Sequence, residues 1–400
     1  MSSDKKILFL GASPAQLSAI ELALELGYYV ITTDYLSNNP GHRLANESYL
    51  ISTTDKKEIL KLSEKLKIDA IIAYASDPAA PTASFVSEKL GLPGNPYKSV
   101  EILANKRLFR KFLKKNNFNV PRFNTFTDFE SGYNWLKSID FPIYIKPVDS
   151  SGSKGVTRIN SISQFSDAFN NAISFSRSNQ VIIEEEIIKS GSQIAGDGFI
   201  VNGELRFYCW ADEHFDSDCN GLVPIGQTFP TLLDEKLKKI AYNETNRLIK
   251  LLKMKNGPVN FDFVFDKNNE FYFLELGPRN GGCLIPEVIN YCTGIDLIKY
   301  TLDAALGNKI EQLEMKPTQG FWSSYMIHAL KNGNFKGLKI SNKLKECIIE
   351  KDLWVKKGDP VKRYFGSHHT LGTMILRYKN SNEMNKLIEK MNNYIEVKLM

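Results

Sequence analysis

The chain has 400 residues, of which 42% are hydrophobic and 24% are charged, so it can bury a sizeable core. Because domains average roughly 100–200 residues, the length predicts two to four of them. The net charge of +6 reflects 51 basic against 45 acidic residues, a dispersed excess that excludes an extended nucleic-acid-binding surface. Five cysteines without a C-x-x-C pair disfavour a disulfide framework or a zinc site and indicate the reducing cytoplasm.

The N-terminal segment MSSDKKILFLG contains a four-residue apolar run, whereas the apolar region of a signal peptide needs about 7–15 residues. We therefore interpret this segment as a first strand. No apolar run approaches the roughly 20 residues of a membrane span, so we expect a soluble cytoplasmic protein without a membrane partner.

The first hundred residues alternate strands with helices. KILFL, YYVITTD, SYLIS and AIIAY read as strands, and LSAIELALELG and KKEILKLSEKLK read as amphipathic helices. This alternation predicts a parallel, doubly wound sheet of the Rossmann-like kind. We place this domain at residues 1–100 and end it at GLPGNP.

The rest of the chain has an α+β pattern. A basic helix at 101–117 precedes short strands and helices, and antiparallel strands are expected at 192–213 and 258–276. A further helix is expected at 286–307, and short strands return after about 318. We predict a second domain over 101–320 and a small, strand-rich α+β domain over 321–400.

The turn GASPAQ follows the first strand, and Asp34 ends the next one. An acidic residue about 20 positions after such a turn binds the ribose in dinucleotide sites. The G-x-G-x-x-G fingerprint is nevertheless absent, because Ser13 and Gln16 occupy two of its glycine positions. A dehydrogenase that uses Gly11 and Asp34 is therefore an alternative, and a non-redox Rossmann-like domain is favoured.

In YIKPVDSSGSKGV a strand delivers Lys146 and a flexible loop returns to another strand. Glycine backbone and serine hydroxyls can approach and cover phosphates. The alternative is a flexible hairpin with a surface lysine, and the Walker pattern G-x-x-x-x-G-K-[ST] is absent. The loop residues that we expect to contact phosphate are Ser151, Gly152, Ser153 and Gly155.

Acidic residues lie on or at the end of three apolar strands. VIIEEEII, residues 181–188, is either a solvated edge or a linker that contacts a nucleotide. Asp262 in VNFDFVF and Glu275 in FYFLELGPR flank the turn signal DKNN. If their strands form a hairpin, the two carboxylates converge and repel, unless a cation such as Mg²⁺ binds them. Arg279 then suits phosphate or carboxylate oxygens.

These features, in this order, resemble the ATP-grasp superfamily over roughly residues 5–320, and in particular its biotin carboxylase and carbamoyl-phosphate synthase-like carboxylate–amine ligase branch. The resemblance implies a Rossmann-like domain followed by a two-lobed clamp that holds ATP between its lobes. The lid lobe corresponds to about residues 121–188. Dimerisation through the first domain or the tail is left open by the same resemblance.

By position, Lys106 in LANKRLFRKFL resembles the first phosphate-binding lysine of the family, and Lys146 the second. Asp262 and Glu275 match the magnesium ligands, with Mn²⁺ as an alternative ion, and Arg279 matches an arginine that steadies the acyl phosphate or the acceptor. The resemblance makes Lys146 and Arg279 the expected catalytic residues. The expected adenine and ribose contacts are Glu184, Glu185, Ile187 and Gln193.

Two positions depart from the family pattern. Gly277 stands where many members have a metal-binding asparagine, so Asn280 is expected to replace it. Gln193 stands where many members have a ribose-binding glutamate, and we expect a weaker ribose contact.

The segment CWADEHFDSDCN, residues 209–220, carries His214 among acids and cysteines. A metal site there is disfavoured, and the family position suggests that His214 contacts the acceptor substrate. The histidines of GSHHTLG, residues 366–372, are expected to point opposite ways on a strand and so to be poor co-ligands.

The resulting hypothesis is an ATP- and Mg²⁺-dependent carboxylate–amine ligase that works through an acyl phosphate on small-molecule substrates. The first alternative is a related enzyme that phosphorylates or carboxylates a small acid such as bicarbonate. The second alternative is a non-catalytic ATP-binding scaffold, which would bind Mg·ATP without releasing ADP.

Overall fold

The computed structural model describes residues 5–400. The strands are β1 Lys6–Leu10, β2 Tyr29–Thr33, β3 Glu47–Tyr49, β4 Ala70–Ile72, β5 Phe123–Phe126, β6 Ile143–Pro147, β7 Thr157–Ile159, β8 Val181–Glu185, β9 Ile194–Val201, β10 Glu204–Phe215, β11 Pro224–Phe229, β12 Gly257–Phe265, β13 Phe271–Gly277, β14 Phe321–Ile327, β15 Gly333–Ile340, β16 Ile348–Leu353, β17 Pro360–Val361, β18 Gly372–Tyr378 and β19 Ile395–Leu399.

The α-helices are α1 Leu17–Glu25, α2 Gly41–Leu44, α3 Lys56–Leu66, α4 Ala80–Leu90, α5 Tyr97–Ala104, α6 Lys106–Lys115, α7 Phe129–Trp135, α8 Phe165–Ser174, α9 Glu235–Leu251, α10 Ile285–Thr293, α11 Leu297–Leu306, α12 Asn342–Lys345 and α13 Ser381–Ile388. Among residues 5–400, no helix has the length and apolar character needed to cross a membrane.

The N-terminal region forms the expected parallel sheet, in the order β3-β2-β1-β4. Strand β1 is almost entirely buried, because helices cover both faces of the sheet. The prediction of a parallel, doubly wound sheet for this part of the chain is therefore confirmed.

The single helix predicted at 101–117 is wrong, because the chain forms α5 and α6 instead. Asn105 between them is extended, with φ −124° and ψ 112°, and its side chain accepts a hydrogen bond from the Leu108 amide at 3.1 Å. This N-cap starts α6 at Lys106. The helix predicted at 286–307 is likewise two helices, since Gly294 at φ +70° ends α10.

Two further sheets enclose a cavity between them. A four-stranded sheet has the order β5-β8-β6-β7, and α7 and α8 contribute to its core. An eight-stranded sheet has the order β13-β12-β9-β10-β11-β14-β18-β16. Because β11 pairs with β14, this second sheet continues across residue 320, where we predicted a domain boundary. The three domain ranges stay predictions.

The C-terminal region adds a small sheet with the order β17-β15-β19. Its core contains side chains from the 219–225 segment, from β14 and from α13. The molecule thus combines a parallel α/β sheet with antiparallel α+β sheets, and the predicted fold class is confirmed.

Candidate active site

A cavity lies between the four-stranded and eight-stranded sheets. Both sheets contribute charged side chains to its wall, and apolar side chains complete one part of it. The lining residues are Lys106, Pro121, Tyr144, Lys146, Ser150, Ser151, Gly152, Ser153, Lys154, Val156, Glu184, Glu185, Ile187, Lys189, Gln193, Phe215, Gly221, Leu222, Asp262, Val264, Leu274 and Glu275.

The two carboxylates of the predicted metal site meet on an antiparallel hairpin. Strands β12 and β13 pair so that Asp262 stands opposite Glu275. The pairing shifts between Asp262 and Phe263, whose partner is Phe273, so Leu274 is an extra residue in β13. This bulge turns both Leu274 and Glu275 into the cavity. The hairpin expected from the sequence forms, and it places the acids side by side.

Asp262 is a half-buried carboxylate with one oxygen that no protein group satisfies. Its Oδ1 atom is buried and has no hydrogen-bond partner. Burial, and then the neighbouring Glu213 and Glu275, raise the pKa of Asp262 well above its usual range. Removing a polar atom from water without a partner is costly. A divalent cation between Asp262 and Glu275 would offset that cost, so these residues fit Mg²⁺.

Lys146 reaches the cavity from β6. Ile143 and Ile145 are buried in the core of the four-stranded sheet, and the alternate side chains Tyr144 and Lys146 line the cavity. Lys146 Nζ donates to Glu184 Oε2 at 2.7 Å.

Glu184 is held by two cations. Arg110 Nε on α6 donates to its Oε1 at 2.7 Å, and Lys146 occupies its other oxygen. Burial acts to raise the pKa of Glu184, but Arg110 and Lys146 outweigh it and set the pKa at about 2. The Glu184 carboxylate is therefore engaged in two ion pairs, and its contact with adenine or ribose stays a prediction.

Lys106 and the serine–glycine loop lie together at the cavity. Lys106 Nζ donates to the Ser150 carbonyl at 2.9 Å and lies 3.6 Å from Glu275 Oε2. Gly152 has φ +64° and Ser153 has φ +57°, a left-handed conformation that glycine adopts easily. Ser151 and Ser153 line the cavity with Gly152. Gly155 lies beyond the lining residues, where its Cα faces Phe175.

The other expected nucleotide contacts lie at the same cavity. Glu185 Oε1 accepts from the Arg122 amide at 2.7 Å, and Ile187 contributes an apolar wall. Gln193 Nε2 donates to Glu213 Oε2 at 2.8 Å. Burial raises the pKa of Glu213 to about 7, although hydrogen bonds from Gln227 and Gln193 act against it.

Arg279 is paired with the N-terminal region. Its Nε and Nη2 atoms donate to the two carboxylate oxygens of Asp77 at 2.7 and 2.8 Å. Asp77 borders a second cavity of about 290 Å³, which shares Ser150, Ser151 and Glu275 with the first. Through Asp77, Arg279 thus lies at the edge of this second cavity, and it does not line the first.

Asn280 is not brought to the two carboxylates. Its side chain is fully buried, and its Oδ1 accepts from Thr301 Oγ1 at 2.9 Å. A side chain at Gly277 would instead meet the Asp77–Arg279 pair, since an added Cβ lies 3.1 Å from Asp77 Oδ1. The placement therefore does not support the metal-ligand role that we expected for Asn280.

His214 is also outside the cavity lining. Its Nε2 atom lies 2.9 Å from Thr228 Oγ1, and burial lowers its pKa to about 4. The prediction that the two histidines of GSHHTLG lie on a strand is wrong. Residues Ser367–His369 form a 3₁₀ turn, and the rings of His368 and His369 are 4.0 Å apart.

The turn after β1 satisfies its own polar groups. The Ala12 amide donates to Asp34 Oδ2 at 3.2 Å, and the Ser13 amide donates to Gln16 Oε1 at 2.9 Å. A Cβ at Gly11 would lie 3.0 Å from that same Gln16 oxygen. Because these amides are already used, the turn lacks the free donors of a dinucleotide pyrophosphate site.

Sequence reasoning missed several residues at or beside the cavity: Asp77, Arg110, Lys154, Lys189 and Glu213. Arg110 lies near Lys106 and Glu213 lies next to His214, but nothing in the spacing of Arg110 and Glu213 identified their partners. Their roles depend on contacts between distant segments, such as the Arg110–Glu184 pair across 74 positions.

Residues 139–287 match the ATP-grasp domain family. The chain is 23% identical over 340 residues to the carbamoyl phosphate synthase large chain of Thermoanaerobacter pseudethanolicus. That match covers 79% of this chain and 30% of the relative. The chain thus spans less than a third of the length of this relative.

Two solved structures resemble the whole chain. One is an L-amino acid ligase from Bacillus licheniformis, with a TM-score of 0.82 at 18% identity and 100% coverage of both chains. The other is a phosphoribosylglycinamide synthetase from Anaerococcus prevotii, with a TM-score of 0.77 at 22% identity and 100% coverage of both chains. At these identities the likeness establishes the fold.

Proposed function

We propose that the protein is an ATP-dependent carboxylate–amine ligase that works through an acyl phosphate, since residues 139–287 match the ATP-grasp domain family. The observation that carries this proposal is the pairing of Asp262 with Glu275 at a cavity that also contains Lys106 and Lys146. The carboxylates suit a divalent cation, and the lysines suit the phosphates of a nucleotide.

Each wall of the cavity suits one part of ATP. Ile187, Phe215, Val264 and Leu274 provide apolar surface for a base. The 150–155 loop offers hydroxyl and amide donors to phosphate oxygens, and Lys106 holds the loop through the Ser150 carbonyl. Bound Mg²⁺, or Mn²⁺ in its place, would neutralise phosphate charge beside Asp262 and Glu275.

The proposed reaction has two steps. The carboxylate of the first substrate attacks the γ-phosphorus, the bond to the β-phosphate oxygen breaks, and ADP leaves. The amine of the second substrate then attacks the acyl carbon, phosphate leaves with the former carboxylate oxygen, and the nitrogen loses a proton. Lys106 and Lys146 stabilise the negative charge of the transferred group, so positioning and electrostatics supply the catalysis.

The second cavity is the proposed site of the substrates. It borders Glu275 and the phosphate loop, and it contains Lys56 and Arg177 as cations and Glu101 and Asp149 as anions. Groups of both signs suit a substrate pair in which a carboxylate meets an amine. The Asp77–Arg279 pair, at its edge, joins this cavity to the N-terminal region.

The proposal is tested by Mg·ATP-dependent ADP release with pooled carboxylates and amines. We expect stimulation by a mixture of both pools, and a loss of at least 100-fold in Glu275→Gln. Glu270→Gln, at an exposed position of the same hairpin, is the matched control and should keep full activity. Stimulation by the carboxylate pool alone would favour a carboxylate-phosphorylating enzyme. Tight ATP binding without ADP release from any mixture would favour the scaffold.

A further inference from the structure

Three potential metal ligands meet where the loop that joins β10 to β11 contacts the end of β14. Asp216 and Cys219 belong to this loop, and His328 directly follows β14. Since β11 pairs with β14, the loop and the end of β14 are neighbours. One carboxylate oxygen, the Cys219 sulfur and one ring nitrogen lie within 4.8 Å of one another, and all three residues are buried.

The hydrogen bonds of His328 leave one ring nitrogen facing a carboxylate. Its Nδ1 atom lies 2.8 Å from the Met326 carbonyl, which is an acceptor, so Nδ1 carries a proton. Its Nε2 atom lies 3.1 Å from Asp216 Oδ2, which is also an acceptor. Two acceptors at this distance need either a proton or a metal ion between them.

The surroundings match those of a bound transition metal. A metal-ligating histidine commonly donates its other ring N–H to a backbone carbonyl, as His328 does to Met326. Tyr325, Tyr364 and Ala329 belong to the apolar cluster that also contains Cys219. Ligand atoms around one zinc ion lie roughly 3–4 Å apart, so small side-chain rotations would bring the three together.

We propose that Asp216, Cys219 and His328 form a binding site for a zinc-class transition metal, separate from the Asp262–Glu275 pair. One carboxylate, one thiolate and one neutral imidazole carry two negative charges, which a divalent ion balances in a buried site. The spacing of the cysteines disfavoured zinc because only Cys219 takes part, and its partners come from elsewhere in the chain.

An ion at this site would brace the wall of the ATP cavity. Gly221 and Leu222 line that cavity, and the Leu222 carbonyl accepts a hydrogen bond from Ser153 of the phosphate loop at 2.7 Å. The loop between β10 and β11 is also tied to the C-terminal region, because Asn392 Nδ2 donates to Asp216 Oδ2 at 2.9 Å. The ion would therefore hold together the phosphate loop and the C-terminal region.

The test uses the full-length protein freed of metal with a chelator and then given one equivalent of Co²⁺ in excess Mg²⁺. A thiolate bound to Co²⁺ produces a near-ultraviolet charge-transfer band, which the oxygen ligands Asp262 and Glu275 do not produce. We expect the band in the wild type and its displacement by one equivalent of Zn²⁺. Absence of the band from folded wild-type protein would refute the site without any variant.

Three variants assign the ligands. Cys219→Ser should abolish the band, and His328→Gln should weaken Co²⁺ binding by more than the roughly 10–100-fold that loss of a hydrogen-bond partner of a metal ligand costs. Cys347→Ser is the matched control, because Cys347 is buried in the same apolar cluster and should leave the band unchanged. Circular dichroism checks that each variant is folded. A band that persists in Cys219→Ser would assign the metal to another cysteine, and the cluster would then be a buried imidazolium–carboxylate pair.

Discussion

Glu184 and Asp262 line the same cavity from different sheets, and the protein treats their charges in opposite ways. Glu184 is held at both oxygens by Arg110 and Lys146, and its pKa is about 2. Asp262 has an unpartnered oxygen and acidic neighbours, and its pKa is well above the usual range. The first carboxylate has its cations built into the protein, whereas the second is left to receive one. Satisfied charge marks the scaffold of this site, and unsatisfied charge marks the place where a cation is expected.

Removing the unsatisfied charge should separate activity from stability. Asp262→Asn should lower ADP release at least 100-fold, because it removes half of the carboxylate pair. In the absence of metal it should raise the free energy of unfolding, because it removes a buried repulsion. ADP-release assays and urea unfolding without Mg²⁺ measure the two effects. A variant that loses both activity and stability would contradict the assignment.

Removing the satisfied charge should instead lower the stability of the protein. Glu184→Gln leaves Arg110 buried beside a neutral amide and should lower the free energy of unfolding by about 3–5 kcal/mol. The neighbouring Glu185→Gln is the control, since Glu185 is exposed. Urea unfolding compares the two variants, and equal stabilities would show that the Arg110–Glu184 pair contributes nothing to the fold.

The carboxylates on the two sides of the cavity should also respond oppositely to pH. On the side of Asp262, the neighbouring Glu213 is the group to follow. The pKa of Glu213, about 7 when folded, exceeds the usual value of about 4.3 for an unfolded glutamate. Its contribution to stability is complete below the unfolded value and is lost as pH rises through 7. Without metal, the part of the free energy of unfolding that Glu213 contributes should fall by on the order of 2 kcal/mol between pH 5 and pH 8.

Glu213→Gln should flatten this fall, and saturating Mg²⁺ should reduce it. The pKa of Glu184 is lowered, so its contribution is present above about pH 4.3 and is lost only as pH falls towards 2. Urea unfolding across the pH range measures both effects. An unchanged pH dependence in Glu213→Gln would contradict the role of this carboxylate.

The smallest expected effect concerns the 150–155 loop. A Cβ at Gly152 would lie 2.6 Å from Ser367 Oγ, and its φ of +64° disfavours other residues. Gly152→Ala should lower the free energy of unfolding by about 1 kcal/mol and raise the KM for ATP several-fold. Gly337→Ala on β15 is the control, because Gly337 does not line the cavity and an added Cβ there meets nothing within 4 Å. Equal KM values in the two variants would show that the loop conformation at Gly152 does not affect ATP binding.

Sequence periodicity and spacing determined much of the fold. Continuous apolar runs predicted the parallel strands, because both faces of that sheet are covered. The turn signal between Asp262 and Glu275 predicted the hairpin, because short polar turns join antiparallel strands. Lys146 and the 150–155 loop were identified because a strand lysine followed by serines and glycines suits phosphate, whereas Lys106 was identified through the family resemblance. These are local properties of the chain, so they can be read without its tertiary structure.

Tertiary structure decided which charges face each other. Strict alternation would turn Glu275 to the same face as the buried Phe273, and the bulge at Leu274 re-aims it into the cavity. The ion pairs of Glu184 and Arg279 join residues 74 and 202 positions apart. Ligand sets such as Asp216, Cys219 and His328 likewise arise from strand pairing between distant segments. Sequence alone does not determine these partners, because burial and electrostatic pairing depend on the whole fold.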